Sequence, residues 1–368
     1  MTIVTHIVPL EFSSTGILGG AERYAYEMAK AMSGEFNTQL ITFGKSSSTE
    51  THGKLKIHRI RPLGYPRQSH LVTKTNPFSI SPLIRKLHGS KVIFCHQQKV
   101  IPSTVAALWG QVSRKKVYAI PLGGAGWDLS SYISTDFLYS GILHISQYSR
   151  DLLSPEKKPN SHVIYGGVSK EKFFPGEKTI RDKVVFVGRL LPHKGVDVLI
   201  EALPEDCPCV IAGTPKSEAY YRHLQDLAAR KNVTFRHAIS DTELRSLYQE
   251  AICVVLPSVF HDCYENYSPW TELLGQTIIE GMACGAPPVA TNLAAFPEII
   301  DDENTGFLFA ERDCAGLRRI IERLRSDGEL VSKVGKAAYE KFLAKWTWDA
   351  VIRRCEILIP ELKDCRRG

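Results

Sequence analysis

The pattern that most narrows the folds open to this chain is a strand running into a glycine-rich loop and then a helix. It occurs twice. Residues 2–10 alternate and are rich in β-branched side chains, the pattern of a buried strand. They lead to Gly16, Gly19 and Gly20, after which 21–32 sets Ala25, Met28, Ala29 and Met32 on one helical face. A second strand, 184–187, enters the loop Gly188-Arg189-Leu190-Leu191-Pro192-His193-Lys194-Gly195, and a helix follows at 196–203. Glycines ahead of a helix let a ligand approach its free N–H groups and positive dipole end, the phosphate cradle of α/β folds. The first loop reads G-x-x-G-G rather than G-x-G-x-x-G, which counts against a nicotinamide dehydrogenase.

The alternation continues through the chain. Strands are predicted at 38–43, 56–60, 91–95, 116–120, 142–146 and 163–165, with helices at 80–88 and 104–112 between them. The second half offers strands at 208–212, 233–236, 252–256, 289–291 and 306–309, with helices at 216–231, 242–250, 277–284, 315–324 and 329–344. This order predicts an α/β architecture of two doubly wound parallel sheets, one per domain. Ser146 is the expected N-cap of a further helix. The region 46–82, rich in Ser, Pro, Gly and Arg, is expected to be irregular. The expected domains are 1–170 and 183–345, joined by a charged linker at 171–182 that carries Pro175-Gly176. Residues 346–368 form a final helix whose Trp346 and Trp348 are expected packing anchors.

Composition excludes several classes. At 43% hydrophobic and 23% charged residues the chain is ordinary globular protein. No apolar run approaches the ~20 residues of a membrane span, and the N-terminus lacks the pattern of a signal peptide. The nine cysteines are scattered and fit no zinc spacing, so free thiols in a reducing cytoplasm are expected. Residues 1–175 hold 21 Lys and Arg against 10 Asp and Glu, a balance of +11, while 176–368 hold 25 against 29, a balance of −4. The basic half suits anionic lipid or an acidic small molecule, or is a solvated face. No nucleic-acid motif accompanies it.

Candidate chemistry concentrates in Trp270-Thr271-Glu272-Leu273-Leu274-Gly275-Gln276-Thr277-Ile278-Ile279-Glu280. Gly275 permits close backbone approach, and the helix opening at Gln276 and Thr277 makes an anion site. Glu280 lies one turn further in, where it can accept bonds from a pair of hydroxyls. Glu272 can reach another part of the same ligand. Together these suit a phosphorylated sugar compound. An ordinary amphipathic helix with two surface glutamates shares the same spacing.

Several stretches agree in order along the chain: Gly19-Gly20-Ala21-Glu22-Arg23, Ser146-Gln147-Tyr148-Ser149-Arg150, Val163-Ile164-Tyr165-Gly166-Gly167-Val168, Gly188-Arg189-Leu190 with Lys194-Gly195, and the E-x7-E pair Glu272 and Glu280. With these the chain resembles family 4 of the retaining nucleotide-sugar glycosyltransferases. The resemblance implies the GT-B fold, two Rossmann-like domains facing a cleft, with the C-terminal helix returning to the first domain. It implies that Arg189, Lys194, Gly275, Gln276 and Thr277 hold the donor diphosphate, Glu280 the ribose and Glu272 the donor sugar. The catalytic set would be Glu272, Arg189 and Lys194. Gly19 and Gly20 would let the first domain approach the diphosphate.

The resemblance also implies a UDP- or GDP-linked hexose donor, no cofactor and no required metal. The acceptor is left open, and the enzyme would be cytoplasmic, with peripheral contact at the inner membrane face. Where the family carries a first-domain histidine, 117–124 has none. His96, or Trp127 and Asp128, are the expected substitutes on the acceptor side. Gly166 replaces the family's Asn, and the unusual segment 264–270 is expected to shape the donor-sugar pocket. A nucleotide-sugar 2-epimerase and a non-catalytic nucleotide-sugar-binding protein share the same fold and remain alternatives.

Overall fold

The computed structural model describes residues 2–9, 20–64, 76–123, 134–154, 160–177 and 180–367. The chain divides into two compact units, Met1–Gly167 with Trp348–Gly368, and Val168–Thr347.

The first unit carries strands β1 (Ile3–Ile7), β2 (Thr38–Phe43), β3 (Ser48–His52), β4 (Leu55–Ile60), β5 (Ser90–His96), β6 (Lys116–Ile120), β7 (Gly141–His144) and β8 (Ser161–Val163). Its helices are α1 (Gly20–Glu35), α2 (Ile80–Leu87), α3 (Ile101–Ser113) and α4 (Gln147–Leu153). The sheet runs β3-β4-β2-β1-β5-β6-β7-β8. Neighbouring residues of one strand serve opposite faces. Ile41 packs with Leu83, Leu87 and Ala106 of α2 and α3, while Leu40 packs with Ala25 and Ala29 of α1. Each such buried aliphatic side chain stabilises the fold by about 1.5–3 kcal/mol. Ser146 caps α4 in a reciprocal capping box with Ser149.

Residues 46–82 are not wholly irregular. β3 forms an antiparallel hairpin with β4, the one antiparallel pairing of this sheet among the described residues. Its side chains are almost all exposed, so no apolar alternation marks it. It is held instead by cross-strand bonds, Thr49 Oγ1 to His58 Nδ1 at 2.9 Å and Arg59 to Ser48 Oγ at 3.1 Å.

The second unit carries β9 (Lys183–Val187), β10 (Cys209–Ala212), β11 (Val233–Arg236), β12 (Ala251–Leu256), β13 (Pro288–Thr291) and β14 (Phe307–Phe309). Its helices are α5 (Val196–Ala202), α6 (Glu218–Ala228), α7 (Asp241–Gln249), α8 (Gln276–Ala283), α9 (Phe296–Ile299), α10 (Cys314–Ser326) and α11 (Gly328–Lys345). All pairings run parallel in the order β11-β10-β9-β12-β13-β14. The chain winds outward from β9 to β11 and then returns to β12 on the other side. That reversal opens a crevice outside the carboxyl ends of β9 and β12, where such sheets bind ligands. Arg181, from the stretch expected as linker, is part of this unit. Its guanidinium donates to the carbonyls of Tyr248, Ala251 and Cys284.

The last helix, α12 (Trp348–Leu358), belongs to the first unit. Trp348 meets Tyr24 edge-on at 5.2 Å, and Arg367 donates to the carbonyls of Phe36 and Lys54. Trp346 and Trp348 are both buried.

Candidate active site

Two loops build the site at the carboxyl ends of β9 and β12. After β9 the chain passes Arg189, which is exposed, and a tight 3-10 turn at Pro192–Lys194. Gly195 ends that turn at φ +63°, and a Cβ there would lie 1.9 Å from the Pro257 carbonyl oxygen. Only glycine lets the β9 loop abut the end of β12. Two bonds lock the loops: Val259 N–H donates to the His193 carbonyl at 3.0 Å, and Thr271 Oγ1 to the same carbonyl at 2.9 Å.

This contact brings Lys194 to Glu272. The ammonium lies 2.5 Å from Glu272 Oε1 and also donates to the Thr271 carbonyl at 3.0 Å. Ser258 Oγ donates to the same Oε1 at 3.1 Å. Glu272 and Ser258 are buried. A buried ion pair is costly to break, because removing one partner leaves an unpaired charge. Burial and the charge of Lys194 push the adjacent His193 imidazole down to about 4, with Glu272 opposing and Arg189 adding to the fall. His193 therefore stands among Lys194, Glu272 and Arg189 as a neutral ring at pH 7.

Three residues beyond Glu272, Gly275 takes φ +84° and starts α8 with no side-chain cap. The first N–H groups of α8, at Gln276 and Thr277, thus open towards an anion. Glu280, 4% exposed, accepts a bond from the Tyr248 hydroxyl at 2.9 Å. Arg189, Lys194, Glu272, Gly275, Gln276, Thr277 and Glu280 all lie in this one unit, on the loops and helix around the crevice.

The remaining expected residues belong to the first unit. Gly19, Trp127 and Asp128 lie outside the described residues. Gly20 opens α1. His96 ends β5 with 1% exposure, its Nε2 bonded to His6 Nδ1 at 2.9 Å, and burial pushes it down to about 3. Sequence reasoning missed Ser258 and Tyr248 and gave Thr271 no role; their partners lie 14 to 78 residues away along the chain. Among the described residues no group of three His, Cys, Asp or Glu side chains converges as a metal site.

Comparison with known proteins bears on the fold and on the second unit. Residues 168–341 match the family model described as glycosyl transferases group 1. The two sheets have the architecture of GT-B glycosyltransferases. The chain is similar to an uncharacterized glycosyltransferase of Methanocaldococcus jannaschii, at 28% identity over 61% of this chain and 60% of that protein. It is also similar to the GDP-mannose-dependent alpha-(1-6)-phosphatidylinositol monomannoside mannosyltransferase of Mycolicibacterium smegmatis, at 25% identity over 62% and 64%. The chain thus spans about three fifths of the length of these curated relatives. In fold it is similar to Anabaena HepE, solved in complex with UDP and glucose, with a TM-score of 0.72 and 16% identity over 98% of this chain and 100% of that one.

Proposed function

We propose that the chain is a retaining glycosyltransferase that moves a hexosyl unit from a UDP- or GDP-linked donor to an acceptor hydroxyl. The observation that carries this reading is the Lys194–Glu272 pair, close in the chain to the uncapped start of α8, whose first turn leads on to Glu280. In this reading Lys194, Arg189 and the α8 N–H groups meet the diphosphate. The bond from C1 of the sugar to the diphosphate breaks in the reaction, and the departing oxygen gains negative charge. Fixed cations and N–H groups that already face it lower the barrier without reorganising. Glu280, oriented by Tyr248, accepts from the ribose hydroxyls, and Glu272 accepts from the donor sugar. Two relatives support both donor classes, one named as GDP-mannose-dependent and one solved with UDP and glucose.

Because the cations are protein side chains, turnover needs no metal. The first unit's basic balance supports a cytoplasmic enzyme that touches anionic lipid at the inner membrane face, a contact that salt would weaken. The direct test is release of nucleoside diphosphate from a panel of UDP- and GDP-hexoses, with and without EDTA. Release from at least one donor, unchanged by the chelator, is expected. A chain that neither binds nor hydrolyses any of them overturns this reading.

A further inference from the structure

Between β12 and Glu272 the chain builds a small hairpin with an exposed aromatic surface. His261 pairs with Tyr267 in an antiparallel bridge, and Ser268 N–H donates to the Phe260 carbonyl at 2.8 Å. The turn is filled by the Asp262 carboxylate, which accepts from Tyr264 N–H at 2.8 Å and Asn266 N–H at 3.0 Å. Glu311 anchors the base by accepting from the N–H groups of Phe260 and His261. On this frame Tyr264, Tyr267 and Trp270 are 50%, 62% and 51% exposed. Tyr267 packs on the His261 ring at 5.0 Å and the Phe260 ring at 6.2 Å. Tyr264 is braced edge-on by Tyr220 at 6.4 Å.

Large aromatic side chains clustered in water, two of them braced by neighbouring rings, mark a binding surface. The charge nearby decides what it binds. Residues 260–270, the hairpin itself, contain Asp262 and Glu265 and no Lys or Arg. Such a segment repels phosphate, anionic lipid and nucleic acid. A sugar ring without charge fits it. Its C–H face packs on an aromatic face, and its hydroxyls find acceptors in Glu265 and the Asn266 amide. We propose that this hairpin is a platform for a neutral oligosaccharide, with Tyr267 and Trp270 as its stacking rings, and that this sugar chain is the acceptor. Naming the sugar chain as acceptor rests on the glycosyltransferase reading; the binding itself does not.

The experiment titrates the full-length protein with maltohexaose, cellohexaose and α-1,6-mannohexaose without donor, and separately with UDP and GDP. Saturable binding of at least one hexasaccharide is expected. Tyr267→Ala and Trp270→Ala should each weaken it by about fivefold to tenfold, the loss of one stacked ring. Tyr267→Phe, which keeps the ring, should stay within about twofold of wild type. Nucleotide affinity should not move in the two Tyr267 variants. Three results overturn the proposal: no hexasaccharide bound by wild type, equal binding by the alanine variants, or binding of phosphatidylcholine vesicles that the same variants abolish. Hexasaccharide binding without any nucleotide binding would leave the platform standing and remove the donor reading.

Discussion

Glu280 is nearly out of water, and the Tyr248 hydroxyl reaches it from α7. A hydrogen bond to a charged group contributes about 1.5–3 kcal/mol. Tyr248→Phe keeps the ring in the core and removes only that bond. It should therefore weaken nucleoside diphosphate binding by about tenfold, read by calorimetry. An unchanged affinity would mean that Glu280 does not touch the nucleotide. The two glutamates were legible in the sequence because their spacing straddles a helix opening that glycine announces. Tyr248 was not legible. It lies 32 residues from its partner and occupies an ordinary inward position of α7. His96 was visible only as a strand-end histidine; its partner His6 is 90 residues distant, on the neighbouring strand.

The elements around the site depend on glycines that look alike in sequence. Gly195 is locked by a positive φ and by the Pro257 carbonyl, whereas a Cβ on Gly34 of α1 would meet nothing within 4 Å. Gly195→Ala should lower stability by at least about 2 kcal/mol. Gly34→Ala should leave it unchanged or raise it by up to about 1 kcal/mol. Thermal melts of the two variants separate these outcomes, and equal melting temperatures would contradict the packing of the β9 loop on β12. The parallel strands were legible because buried strands read as short apolar runs bounded by turns. β3 was hidden because an edge strand exposed on both faces has no such run. The hairpin at 260–268 was hidden for a related reason: its frame is made by side-chain bonds of Asp262 and Glu311 rather than by apolar pattern.

Across the whole molecule several imidazoles are kept neutral. Burial, first in each case, pushes His58, His144 and His193 down to about 4 and His96 to about 3, against an ordinary 6.5. Between those values the unfolded chain takes up protons that the folded chain does not. Stability is therefore lost as pH falls from 6.5 towards 4 and regained as it rises. Melting temperatures should drop steadily from about pH 7 to about pH 5, ahead of any loss from carboxylates, whose ordinary range lies lower. A flat profile over that interval would contradict the burial of these rings.

The division of labour around α8 is tested most directly by titrating the protein with a nucleoside diphosphate and with the matching nucleoside. UDP and uridine serve, or GDP and guanosine, whichever pair wild type binds. If Lys194 meets the diphosphate and Glu280 the ribose, Lys194→Ala binds the diphosphate at least about tenfold more weakly and keeps its nucleoside affinity, while Glu280→Ala loses both. Retained wild-type diphosphate affinity in Lys194→Ala, or retained nucleoside affinity in Glu280→Ala, would contradict the account.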